Sequence, residues 1–270
     1  MRFSDLTRHV ETYRKRFVLN DRCLPQPLAL KTEHCRRVAA EAGDMSSELH
    51  WPAHEQDLAR AAGLLHDIGR FSQFAEFGTF SDAASVDHGE RGAAVLRQAD
   101  WFSEWAPEDL GAVLIAVRYH NRLRVPAAVC GQPLALLRLV RDADKLDILR
   151  IVLDAVERDG FRELPAMLPH IRLEGPVSPQ VMDEVSRGTC ASLNHVKSLA
   201  DFLLMQLSWV HDLNYPPAFR RFHDRRILPR ILKQVDGDPR IHALGEKIRH
   251  FVLHHATVAP EPSARREVLS

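Results

Sequence analysis

The chain has 270 residues, 45% of them hydrophobic, and its 36 basic and 36 acidic side chains cancel to a formal charge of zero. That apolar content can fill a sizeable core, and the length suits one helical body with an appendage. Balanced charge argues against an extended nucleic-acid surface or a bulk attraction to anionic membrane. Basic clusters such as Arg36-Arg37 and Arg220-Arg221 with Arg225-Arg226 read as solvated helix faces.

Hydrophobic positions recur at helical spacing and period-two alternation is nearly absent, so the expected fold class is all-α. Helices are predicted over about 4–19, 28–42, 54–67, 87–99, 107–120, 133–158, 178–188, 191–212, 217–235 and 239–255. The N-terminal stretch MRFSDLTRHVETYRKRF is charged throughout and lacks the apolar run of a signal peptide. No apolar run approaches the roughly 20 residues that span a bilayer, so a cytoplasmic protein with no membrane partner is expected. The stretch GRFSQFAEFGTFSDAASV, within 68–86, reads as a long connection of the kind that is often functional. Its Phe71, Phe74, Phe77 and Phe80 are assigned to core packing in preference to a lid or a base-stacking surface. Pro107 ahead of Glu108-Asp109 and Ser178 ahead of Pro179 are first-turn signatures. The segment 159–177, with Pro165, Pro169 and Pro176, reads as a linker between a core at about 28–158 and a C-terminal helical extension at about 178–258. Both belong to one expected domain, 1–258, followed by a tail (259–270) expected to be disordered. Cys23, Cys35, Cys130 and Cys190 are scattered and form no CxxC site, so they read as free thiols.

Set into these helices is an ordered group of polar residues: His34, the pair His66-Asp67, His88, His120 and Asp144. His34 has Leu30 and Val38 four residues to either side. His66 ends the run DLARAAGLLH with Ala62 and Ala59 behind it, and Gly69 reads as a helix-ending residue. His120 follows Ala116 and Val113, and Asp144 shares a face with Leu137, Val140, Ile148 and Ile151. His88 stands near a helix start. Burying such groups is costly unless something pairs with them, and a cation would do so. One inward histidine is ordinarily a hydrogen-bonded core residue; conjunction is what favours metal. The other His-Asp dipeptides, His211-Asp212 and His223-Asp224, lack that company and are not read as ligands.

The stretches LLHDIGR and RDADKLDIL, with this ordered set, resemble the HD-domain metal-dependent phosphohydrolases over about residues 28–150. The resemblance implies a compact HD-domain helical bundle, here with additional C-terminal helices, and a minimal metal set of His34, His66, Asp67 and Asp144. His88 and His120 match the members that hold two metals, in which the aspartate of the pair bridges the ions. Those members include cyclic-dinucleotide phosphodiesterases and a small group of diiron oxygenases. GRFSQF and GTFSDAASVDHG are similar to a widespread set of bacterial HD proteins. The GYP signature of the cyclic-dinucleotide enzymes is absent, which argues against that substrate class.

Imidazole and carboxylate donors suit Fe, Mn, Zn, Ni or Co better than Mg or Ca. One ion would take His34, His66, Asp67 and Asp144, and a second would take Asp67, His88 and His120. The reaction expected is hydrolysis of a phosphomonoester or phosphodiester, nucleotides among the candidates, by a metal-activated water. The alternatives are an HD-type diiron oxygenase and a non-catalytic metal-binding signalling domain. Asp67 and Lys145 are the expected catalytic residues, and the small phosphorylated substrate is expected to meet Arg70, Lys145, Asn121 and Arg124. Against that role, Lys145 could form an ion pair with Asp142 or Asp147. Asp82 and Asp87 would either orient a ligand histidine or cap the following helix.

Overall fold

The segments that carry the ordered set are helices in the computed structural model, which describes residues 3–18, 23–164, 168, 170–235 and 239–257. The architecture is all-α; among the described residues the nearest thing to a strand is an isolated parallel bridge between Arg172 and Ser198. The chain clusters into two compact units that divide between Asp144 and Lys145.

The first unit holds α1 (Phe3–Lys15), α2 (Gln26–Glu48), α3 (Ala53–Leu65), α4 (Gly69–Phe77), α5 (His88–Gln98), α6 (Pro107–Tyr119) and the first half of α7 (Gly131–Asp159). Helix α3 packs along α2 and also meets α1 and α6, while α5 packs on both α4 and α6. Gly63 permits the α2–α3 approach, since a Cβ there would lie 2.9 Å from the Ala39 Cα. Val38, Ala59, Ala62, Leu65, Val113, Ala116, Leu137 and Val140 are fully buried, as their spacing predicts. A side chain such as Leu65 contributes about 1.5–3 kcal/mol by leaving water. The core is thus built on the same faces that carry the histidines.

The second unit adds α8 (Pro179–Ser186), α9 (Leu199–Ser208), α10 (Pro216–Asp224), α11 (Ile227–Leu232) and α12 (Pro239–Thr257). Helix α9 packs on α8 and α11, and α10 packs on α12. Leu203, Leu204, Leu207, Ala218, Ile227 and Ile231 are fully buried there.

Several elements differ from expectation for identifiable reasons. The first half of the supposed connection after the His-Asp pair is helix α4, ended by Gly78 in the left-handed region at φ 66°. Its phenylalanines follow the helical period, yet only Phe71 is core; Phe77 is 40% exposed. The predicted helix 217–235 is two helices, broken at Arg225-Arg226, with Arg226 at φ 54°. Pro229 explains the break, because its ring would clash with the carbonyl four residues back. The predicted helix 191–212 shortens to α9, which Ser198 caps by accepting from the Asp201 N–H. Leu30 and Ile151, expected on ligand-bearing faces, are exposed instead. Ser178 precedes Pro179 at the start of α8 as predicted, but its hydroxyl donates to Asp201 rather than capping the helix. The four cysteines are free thiols. The predicted tail, residue 19 and the linker prolines 165 and 169 lie outside the described residues. No described helix is long and apolar enough to cross a membrane.

Candidate metal centre

Two of the histidines end helices, and those ends aim them. His66 is the C-cap of α3 and His120 the C-cap of α6. Each donates its Nδ1–H to a carbonyl three residues back, Gly63 and Val117 respectively, both at 2.8 Å. A carbonyl only accepts, so Nδ1 carries the proton and Nε2 presents a lone pair. His88 opens α5 and donates its Nδ1–H to Asp82 Oδ2 at 2.6 Å, which leaves its Nε2 in the same condition. His34 comes from the middle of α2.

These rings meet in pairs. His34 and His66 bring their Nε2 atoms to 3.2 Å, and His88 and His120 bring theirs to 3.0 Å. In the second pair each Nδ1 is committed to an acceptor, so both Nε2 atoms are turned toward each other. Burial pushes His120 down to about 4, so its own ring stays neutral. A divalent cation fits this donor set. The residues present therefore suit the metal that the sequence implies.

Asp67 stands between the pairs. Its Oδ2 lies 3.8 Å from His34 Nε2 and 3.6 Å from His66 Nε2. Its Oδ1 lies 3.3 Å from His88 Nε2 and 3.6 Å from His120 Nε2. Asp144 Oδ1 approaches the first pair, at 3.1 Å from His34 and 3.6 Å from His66. Donor atoms of His34, His66 and Asp144, and of His66, Asp67 and His120, fall within 4.8 Å of one another. Burial alone would raise the Asp67 carboxyl, but Lys31, His66, His120 and Arg70 outweigh it and hold it well below the usual range. Burial likewise opposes charge on Asp144, and His34 and His66 outweigh it in the same direction. Burial also disfavours a charged His66, yet Asp67 and Asp144 raise its pKa. The two carboxylates thus stay ionised among the histidines.

A second layer holds the rings in place. Besides His88, Asp82 accepts from Arg70 Nη1 at 2.9 Å, Gln73 Nε2 at 2.9 Å and Asn121 Nδ2 at 3.2 Å. Asp87 accepts from the Glu90 N–H at 3.0 Å. Of the two aspartates proposed for either task, Asp82 orients a histidine and Asp87 caps α5. Arg141, which the sequence pattern does not single out, is buried and donates to the carbonyls of His120 and Arg122, fixing the chain as it leaves α6.

All six candidate ligands are thus brought together, and of the candidate substrate contacts Arg70 and Asn121 lie beside them. Arg70 lies 3.4 Å from Asp67 Oδ1 and bonds Gln73, Asp82 and the Phe80 carbonyl. Asn121 serves Asp82 and Asp87, and Arg124 is exposed. Lys145 pairs in the second unit with Asp212, Nζ to Oδ2 at 2.8 Å, and not with an aspartate of its own helix. Lys145→Ala is expected to cost about 1 kcal/mol, the upper end for partly exposed pairs, read as a lower urea midpoint. An unchanged midpoint would show the pair to be idle and Lys145 free for another role. His211 packs its ring on Phe251 with centroids 4.8 Å apart, so this His-Asp dipeptide is engaged in packing and an ion pair. Lys31 is absent from the residues the sequence singles out. Its spacing of three residues from His34 was the available signal.

Residues 32–149 match the HD domain family model. Over that stretch, which is less than half of the chain, the protein is similar to the HD domain family, whose members are mostly metal-dependent hydrolases. No curated protein and no solved structure matches the chain.

Proposed function

We propose that the protein is a metal-dependent phosphohydrolase that cleaves a phosphomonoester or phosphodiester, nucleotides among the candidates, at a dinuclear His/Asp centre. The observation that carries this reading is Asp67, whose two oxygens address two separate histidine pairs. In it, His34, His66, Asp144 and Asp67 would hold one divalent ion, and His88 and His120 with the same Asp67 would hold the other. Bound ions at such a centre polarise a phosphoryl oxygen and lower the pKa of a water. The chain's own part is preorganisation. The Gly63 and Val117 carbonyls and Asp82 fix the tautomers of His66, His120 and His88, so each presents Nε2 without reorganising. Arg70 is the favoured phosphate contact, because it stands beside the centre, its Nε 3.4 Å from Asp67 Oδ1, while its Nη1 is anchored by Gln73, Asp82 and the Phe80 carbonyl.

The test is a panel of phosphomonoesters and phosphodiesters assayed without oxygen, on protein reloaded with Mn, Co, Ni, Zn or Fe. Hydrolysis with at least one metal is expected. No hydrolysis with any metal, together with a mixed-valence diiron EPR signal and oxygen consumption, would replace this reading with the oxygenase.

A further inference from the structure

Lys31 lies on α2 three residues ahead of His34, so the two side chains leave the helix on a shared face. Its Nζ sits 2.6 Å from Asp67 Oδ2, the oxygen turned toward His34 and His66. The Lys31 side chain is 23% exposed and that of Asp67 3% exposed, so the ammonium reaches a buried carboxylate from a partly solvated position. The ring of Phe80 lies 5.9 Å from the same Nζ. The other cation at Asp67, Arg70, is held elsewhere by Gln73, Asp82 and the Phe80 carbonyl.

We propose that the Lys31 ammonium and a divalent ion compete for Asp67 Oδ2, so that Lys31 acts as a counter-ion that metal uptake must displace. The inference rests on the metal reading of the centre proposed above. A buried carboxylate without a partner is costly, and the ammonium supplies one positive charge where an ion would supply two. Uptake of an ion places like charges side by side in a poorly solvated pocket, which drives the ammonium off. Lysine suits this exchange: its stem is flexible, its charge is a point, and its ammonium is readily hydrated. The face of Phe80 offers it a resting place within cation–π range. Lys31 thereby sets how tightly the centre takes up metal and keeps the metal-free fold intact. If Lys31 instead stayed on Oδ2 beside a bound ion, it would orient the carboxylate, and its removal would weaken metal binding.

The two outcomes differ in sign. Metal-free wild-type and Lys31→Met proteins are titrated with cobalt against a competing chelator at fixed pH, and their melting temperatures are recorded before loading. Cobalt is expected to bind Lys31→Met about tenfold tighter or more, the scale of one charge-assisted contact, while the metal-free variant melts below wild type. Lys31→Gln, neutral but able to hydrogen-bond the carboxylate, gives the same reading should the methionine variant not fold. Unchanged or weaker cobalt binding in these variants overturns the counter-ion proposal alone. Wild-type protein that takes up no cobalt overturns the metal reading and this inference with it.

Discussion

Asp67→Ala is expected to empty both metal positions at once. Wild-type protein reloaded with cobalt or manganese should carry about two ions per chain, the count of a bridged dinuclear site, whereas Asp67→Ala should retain well under one. His88→Ala is the control. Its Nε2 faces Asp67 Oδ1 and His120, so it should deplete one position and spare the His34–His66–Asp144 side. The distinction follows from the proposed assignment, in which each Asp67 oxygen serves a different histidine pair. Asp67→Ala also leaves Lys31 and Arg70 facing a buried space without their carboxylate. Lys31 can turn to water and Arg70 keeps Asp82, so the cost is about 1 kcal/mol, and the metal-free variant should melt slightly lower. Elemental analysis decides the matter. Wild-type occupancy in Asp67→Ala would end the bridging assignment, and wild-type protein holding at most one ion would end the dinuclear reading.

Much of this centre was legible because ligands must be carried on inward faces, and inward faces leave a period in the sequence. His66 and His120 each follow two alanines or valines at helical spacing, and those residues are fully buried in the fold. Asp144 was legible through Leu137 and Val140 for the same reason. Periodicity fixes a face only to within a residue or so around the helix. Leu30 and Lys31 were equally consistent with the His34 face, and hydrophobicity chose Leu30 wrongly, since Leu30 is 61% exposed. Tertiary charge decided that choice: Asp67 attracts Lys31 from 36 positions along the chain. No local pattern records such a partner. The same limit hid the Asp212 partner of Lys145, which a reading confined to one helix could not supply. Helix α4 escaped prediction for a different reason. Its 9 residues are too few for periodicity to outweigh the glycines and serines around them.

Gly69 shows how a correctly noticed residue can have a different physical role, and it yields the other large expected effect. A glycine after a His-Asp pair reads as a helix terminator, yet Gly69 begins α4 and is not among the positive-φ glycines. What it supplies is the absence of a side chain. A Cβ there would lie 2.2 Å from the His88 carbonyl oxygen and 2.6 Å from the Gly92 N, both backbone atoms. Neither can rotate away, so α4 and α5 would have to part. Gly69→Ala is therefore expected to cost about 3 kcal/mol, the upper range for overpacking, and to lower the melting temperature by roughly 10 °C for a chain of this size. Moving the His88 backbone also withdraws Nε2 from His120, so the variant should lose the ion on that side while His34, His66 and Asp144 keep theirs. Gly78→Ala provides the contrast. Gly78 sits at φ 66°, and a Cβ added there would meet nothing within 4 Å, so backbone strain alone applies, at about 1–2 kcal/mol. Thermal melts of both variants beside metal content test the argument. A Gly69→Ala protein that melts with wild type and holds its full metal complement would show that the α4–α5 contact does not position His88.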